Sequence, residues 1–325
     1  MTKSQSGSPV QMSGTSKVKL HASRLVDRAI LGVRSALHVG ETMRSNGTEI
    51  SLTPGHSLQV YQKSHPLYDR FLPYLAHHLQ APDLVVDVGA NCGDTLAGMH
   101  AANPGLEFVA VEPDQQFFAL LEQNSARLEA SPAGLKAHLV QSLVGQNVAG
   151  ATLVGSKGTK KAVVGASGGQ THQSRTLDEI LETLGIASIR LLKSDVDGFD
   201  FDVINSAQKT LATSHPLVFF ESQIDHDFQR EGFAATLAML ETLGYGYWVL
   251  FDNFGSPVLR TADTAAAKQL IEYPWKKRHV TPWPTIYYCD VLAVTAADRP
   301  FVDAVVDAYE RDAGDYRLAP LAQDG

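Results

Sequence analysis

Three clusters of residue types could do chemistry in this chain. The first is Asp87-Val88-Gly89-Ala90-Asn91-Cys92-Gly93, which ends the apolar run Leu84–Val88 and precedes a helical pattern opening at Asp94 or Thr95. A glycine turn there lets bare backbone approach a ligand, and the following helix presents free N–H groups. The second is Glu112, 19 residues after Gly93, at the end of Phe108–Glu112. A carboxylate at that strand end can accept both hydroxyls of a ribose. The third is Lys193-Ser194-Asp195-Val196-Asp197-Gly198, where Lys193, Asp195 and Asp197 share one face at period two. Charged groups are rarely buried without a partner, so a Lys–Asp pair or a polar cluster facing a reacting group is expected.

The glycine turn discriminates between cofactor classes. A dinucleotide fingerprint wants G-x-G-x-x-G, yet Asn91 and Asp94 occupy its second and third glycine positions. Asp87-x-Gly89-x-x-x-Gly93 instead suits S-adenosylmethionine, which has no pyrophosphate to cradle. Gly150 and Gly155 have phosphate-loop spacing, but Ser156-Lys157 stands where Lys-Ser/Thr is needed.

The elements that must position these groups alternate along the chain. Strands are expected at Leu84–Val88, Glu107–Glu112, Lys136–Ser142, Ile189–Val196, Leu217–Glu221, Tyr245–Phe251 and Ile286–Val294. Amphipathic helices are expected at Asp114–Leu128, Phe199–Leu211 and Phe233–Leu243. Near-continuous apolar strands separated by helices predict a doubly wound α/β sheet. Seven glycines between residues 145 and 169 predict a β-hairpin insertion.

At the N-terminus, residues 1–20 read as a disordered tail. A helix is expected over Ala22–Leu37, within a basic lead-in at 21–54. Residues 1–40 hold six Lys/Arg and one Asp, whereas the whole chain has a net charge of −8. That asymmetry points to packing on a core or to contact with a membrane surface or partner. The acidic balance argues against nucleic acid as partner. Cys92 and Cys289 are the only cysteines among the 325 residues, which excludes a disulfide scaffold. No secretory leader or membrane span is visible, so a cytoplasmic protein is expected.

Taken together, VVDVGANCGDT, VAVEPD, RTLDEIL, LLKSDVDGFDFDVINSA and the approach HPLYDRFLPYLA resemble the FkbM family of SAM-dependent methyltransferases, over about residues 55–295. The resemblance implies a Rossmann-like class I methyltransferase sheet of seven strands, the last antiparallel; beyond it a C-terminal helix and tail are expected at 296–325. It implies O-methylation of a hydroxyl on a sugar, glycolipid or natural product. A non-catalytic SAM-binding or assembly protein is the alternative, and N- or C-methylation stays open. Carried over by position, Gly89, Ala90, Asn91 and Gly93 line the methionine half of the cofactor. Glu112 holds the ribose, Gln141 and Ser142 flank adenine, and Asp195 faces the methionine ammonium or the acceptor. The family's I-D-V-E-G-F-E is here Ser194-Asp195-Val196-Asp197-Gly198-Phe199-Asp200, with two carboxylates one methylene shorter.

An antiparallel last strand would place residues 252–285 on the acceptor side. Trp275, Lys276, Lys277, Arg278, His279 and Trp283 predict a basic, aromatic wall there, suited to an anionic sugar. His226, flanked by Asp225 and Asp227, is the leading candidate for general base, Asp197 the second, and Lys193 is a further catalytic candidate. Asp195, Asp197 and Glu221 are candidate oxygen ligands for a divalent metal.

Overall fold

The computed structural model describes residues 41–45, 48–53, 56, 58, 61, 65–146, 149–154, 161–164, 171–278, 280 and 286–314. The expected tail, the basic helix at 22–37, Ser156-Lys157, His279 and Trp283 lie outside them.

The core is an eight-stranded sheet. Its strands are β3 (Leu84–Val88), β4 (Glu107–Val111), β5 (Lys136–Val140), β10 (Leu191–Ser194), β11 (Leu217–Glu221), β12 (Tyr245–Asp252), β13 (Pro257–Thr261) and β14 (Cys289–Thr295). Across the sheet the order is β13-β12-β14-β11-β10-β3-β4-β5. β5, β4, β3, β10 and β11 run parallel, and β14 runs antiparallel between β11 and β12. The chain winds outward from β3 in one direction and from β10 in the other. Their junction is therefore the switch point where ligands bind in such sheets.

Two differences from the sequence reading bear on the site. The seven expected strands are joined by an eighth, β13, antiparallel to β12. It carries the chain away from the ligand edge directly after Gly255. Helix α8 (Thr264–Arg278) then returns it, so most of 252–285 is edge strand and helix. The helix expected at Phe199–Leu211 is two, α5 (Asp200–Asn205) and α6 (Gln208–Ser214). Between them Ser206 Oγ donates to Val203 O at 2.7 Å and accepts from Leu177 N at 3.0 Å.

Helices cover both faces, as fully apolar parallel strands require. On one face α1 (Phe71–His77), α2 (Asp94–Ala102), α3 (Gln115–Glu129) and α9 (Arg299–Gly314) pack on Val85, Phe108, Leu191, Phe219 and Val249. On the other, α4 (Leu177–Thr183), α5, α6, α7 (Asp227–Thr242) and α8 pack on Val86, Val109, Leu192, Val218 and Trp248. The hairpin β1 (Glu41–Ser45) and β2 (Thr48–Leu52) joins the first core through Met43, Ile50 and Leu52. The insertion ahead of β10 is a small sheet, β6 (Leu143–Val144), β9 (Thr171–Arg175), β7 (Ala149–Val154) and β8 (Lys161–Val164), with β7 and β8 paired as a hairpin. No helix among the described residues is long and apolar enough to cross a membrane.

Candidate active site

The C-terminal ends of β3, β4 and β5 form one side of a cavity of about 470 Å³. That lies within the roughly 300–1,000 Å³ usual for small-molecule sites. The glycine turn after β3 is held from three sides. Gly89 N and Ala90 N both donate to Val111 O, at 2.9 and 3.1 Å, and Gly93 N donates to Ala90 O at 2.8 Å. Gly89 takes φ +78°, and a Cβ there would sit 2.0 Å from the Asp195 carbonyl oxygen. Only glycine lets β3 and the exit of β10 approach so closely. Asn124 of α3 anchors the turn's far side, donating 2.7 Å bonds to Cys92 O and Ser51 O.

Glu112 follows β4 and is 5% exposed. Its Oε2 accepts from Asn91 N at 2.9 Å and its Oε1 from Asp114 N at 2.8 Å. Each oxygen keeps a lone pair for the cavity it lines. Burial raises the carboxyl to about 7, against the pull of those two backbone N–H groups. Asp94 and Thr95, at the start of α2, and Ser142, beyond the end of β5, also line the cavity. Gln141 is exposed and lies outside the lining, because β5 ends at Val140 and the chain turns there. Asp87, Ala90 and Gly93 shape the turn from behind and do not line the cavity.

Below the switch point, Lys193 is 3% exposed and Asp87 fully buried. Lys193 Nζ lies 2.9 Å from Asp87 Oδ1, 3.0 Å from Gly89 O and 3.7 Å from Asp195 Oδ2. Burial opposes the charge on the ammonium. The Asp87 and Asp195 carboxylates outweigh it and hold Lys193 above the usual lysine value. Lys193 thus serves as a fixed cation that positions the turn, not as a proton acceptor.

β10 stops at Ser194, so the period-two face expected through Asp197 ends there. Asp197 instead adopts φ +55° in a turn completed by Gly198 at φ +90°. Buried Asp200 ties this turn down, with Oδ1 accepting from Ser194 Oγ at 2.6 Å and Val196 N at 3.2 Å, and Oδ2 from Gly198 N at 3.2 Å. Ser194 thereby meets the shortened Asp200 side chain. Burial, then Asp195 repulsion, raises Asp200 to about 7. Asp195 and Asp197 both line the cavity.

The opposite half of the cavity is acidic and aromatic. Glu221 ends β11, Asp290 enters β14, and Asp69, Tyr68 and Tyr288 face the same space. Asp69 sits at φ +54° just before α1. It is open to the cavity but surrounded by protein, and burial, then Asp94 and Asp195 repulsion, raises it to about 8. Its segment is pinned as a roof. His65 stacks on Phe254 at 3.7 Å, and Tyr309 Oη donates to Gly255 O at 3.0 Å. A Cβ on Gly255 would sit 2.2 Å from Leu67 O.

Several expectations need correction here. His226 is exposed, lies at the N-cap of α7, stacks on Phe228 and does not line the cavity. Its loop is instead fixed by Gln229, whose Oε1 accepts from Asp225 N and His226 N. The basic wall is not found among the described residues: Arg278 pairs with Asp225 at 2.6 Å, Lys276 with Glu272 at 2.8 Å, and Trp275–Arg278 lie outside the lining. Asp195, Asp197 and Glu221 do not converge as metal ligands. Among the described residues, one set of three ligand-type atoms lies within 4.8 Å, from His56, Cys92 and Asp94, and burial holds the Cys92 thiol well above its ordinary value. Asp69 and Asp290 were not singled out from the sequence. An acid inside the apolar run Tyr287–Val294 was the available signal for Asp290.

Residues 87–247 match the model of the methyltransferase FkbM domain. No curated protein matches the chain. Among solved structures, a methyltransferase FkbM from Methylobacillus flagellatus KT shares 13% identity at a TM-score of 0.40, over 73% of this chain and 58% of its own length. Cofactor-bound Rv0187 from MTB shares 12% at 0.41, over 87% and 98%. Precorrin-6y C5,15-methyltransferase from Geobacter metallireducens GS-15 shares 12% at 0.39, over 70% and 87%.

Proposed function

From a chain that carries a methyltransferase FkbM domain at residues 87–247, we propose an S-adenosylmethionine-dependent methyltransferase that methylates a hydroxyl of a small-molecule, sugar or glycolipid acceptor. The observation that carries this reading is Glu112. Its two oxygens are each fixed by one backbone N–H, each keeps a spare lone pair, and the residue lines the cavity. That donor set fits a ribose diol, and the acidic lining fits a cationic cofactor. Gly89, Asn91, Asp94 and Thr95 would hold its methionine half, Glu112 the ribose, and Ser142 the adenine side. When bound, S-adenosylmethionine supplies an electrophilic methyl group on a good leaving group.

The chain's own residues have two remaining tasks, to align the acceptor and to take its proton. The roof from His65 to Arg70 and the turn at Asn253–Gly255 enclose the acceptor side. Asp69, a carboxyl raised to about 8 and open to the cavity, is suited to accept a hydroxyl proton near neutral pH. Asp195 and Asp197 complete the polar wall, and Lys193 fixes the floor.

Calorimetric titration with S-adenosylhomocysteine, with NADH as control, tests the cofactor. Binding at about micromolar Kd, near −8 kcal/mol, and its loss in Glu112→Ala are expected. A folded protein that ignores S-adenosylhomocysteine would overturn the proposal.

A further inference from the structure

Glu221 and Asp290 are direct partners across the antiparallel pair β11–β14. Residues opposite each other on such a pair project from the same face, and like charges there are destabilising. Glu221 is 8% exposed, lines the cavity, and its Oε1 has no hydrogen-bond partner among the described residues. Asp69 faces the same space from the roof. Lys193 is the only Lys or Arg among the described residues lining the cavity, and Asp87 already holds it. A half-cavity with three carboxylates and no cation of its own is built for a positive ligand.

Two positive ligands must be distinguished from the one required. The cofactor is the first. Glu112 follows β4, whereas Asp290 is the second residue of β14, four strands away in the sheet. At about 4.8 Å per strand that is roughly 19 Å, so Asp290 serves the acceptor half. A metal ion is the second. Asp69, Glu221 and Asp290 do not bring three oxygens within 4.8 Å of one another, so their counterion must be larger than a bare cation. Tyr68, Tyr288 and Phe254 line the same region, and ring faces favour organic cations.

Resting on the methyltransferase reading above, we propose that this half-cavity is an ammonium subsite. The acceptor is then an amine-bearing sugar or related amino alcohol. Its protonated amine lies against Glu221 and Asp290, and a neighbouring hydroxyl faces the methyl donor. Burial, then repulsion from Asp195, holds both carboxyls above the ordinary range. An incoming ammonium would relieve that repulsion.

The test titrates protein saturated with S-adenosylhomocysteine with glucosamine, glucose and glucuronate at pH 7. Glucosamine should bind at least about tenfold more tightly than the other two, as a charge-assisted contact implies. Glu221→Gln and Asp290→Asn should each erase that preference while leaving S-adenosylhomocysteine affinity intact. Equal binding of the three sugars, binding of none, or a preference that survives both substitutions overturns the ammonium subsite. Failure of wild-type protein to bind S-adenosylhomocysteine would instead sink the cofactor reading, so the two failures are separable.

Discussion

Asp87 and Lys193 are register partners on the neighbouring parallel strands β3 and β10, and their charges meet 2.9 Å apart beneath the glycine turn. The pair lies at the switch point of the sheet, and Lys193 Nζ also reaches Gly89 O at 3.0 Å. One buried cation therefore joins the strand that begins the cofactor turn to the strand that supplies Asp195. Removing one partner of such a pair strands the other charge in the core, which costs about 3–5 kcal/mol. Lys193→Met should lower stability by that order in urea unfolding. Adding Asp87→Leu should restore a large part of it, because the orphaned charge is gone. A double variant less stable than Lys193→Met would show that the charges themselves, not their mutual dependence, hold the floor.

Gly89→Ala should be more damaging than its one-carbon size suggests. The added Cβ meets backbone, the Asp195 carbonyl at 2.0 Å, at a φ of +78°. Backbone cannot rotate aside as a side chain can, so β3 and the 195–198 turn must separate. The expected result is loss of S-adenosylhomocysteine binding together with a lower Tm. Gly134→Ala, at φ +57° with nothing near its Cβ, is the control. It should cost about 1–2 kcal/mol and leave binding unchanged. Equal effects at both positions would reduce Gly89 to a backbone preference.

The proposed cofactor half of the candidate site was legible in the sequence because its groups lie within a few residues of strand ends. Gly89, Glu112 and Asp195 follow from where β3, β4 and β10 stop, and strands of continuous Val and Leu announce where they run. The acceptor half was not, because it is assembled from distant pieces by contacts that leave no local pattern. Asp69 gains its place from a stack between His65 and Phe254 and from a Leu67–Gly255 approach, across about 190 residues of chain. β13 was hidden because Pro257–Thr261 is a short, half-buried edge strand without the apolar run of its neighbours. Missing it placed Lys277 and Arg278 at the acceptor, when helix α8 carries them past it. His226 carried the right residue type for a base, but Gln229 fixes its backbone as a helix cap outside the cavity.

Stability should fall as pH rises from about 4 to about 7. Glu112 and Asp200 are raised from ordinary carboxyl values to about 7, by burial first. Between the ordinary and the raised value the folded chain keeps a proton that the unfolded chain has released. Folding then binds protons, so the stabilisation is complete below about 4 and is lost as pH climbs through the folded values. Each group that holds its proton contributes a slope of about 1.4 kcal/mol per pH unit. Thermal unfolding across this window should show the decline, and Asp200→Asn should make it shallower. A flat profile in the wild type would mean that these carboxyls ionise in the folded protein much as they do in the unfolded chain.

The rate should instead rise with pH, because the proton acceptor proposed here is Asp69. A base must be deprotonated to act, so kcat/KM should climb about tenfold per unit below about 8 and level off above it. Asp69→Asn keeps the size of the side chain but removes the base, and should lower the rate by about 10²–10⁴-fold and flatten the profile. His226→Ala should leave both the rate and the profile unchanged, since that ring lies outside the cavity. The two variants, assayed side by side from pH 6 to 9, separate the acid that the roof presents to the cavity from the histidine that the sequence displays. If His226→Ala abolished the upper inflection and Asp69→Asn did not, the base would belong to the α7 cap, and the role given to the roof would be wrong.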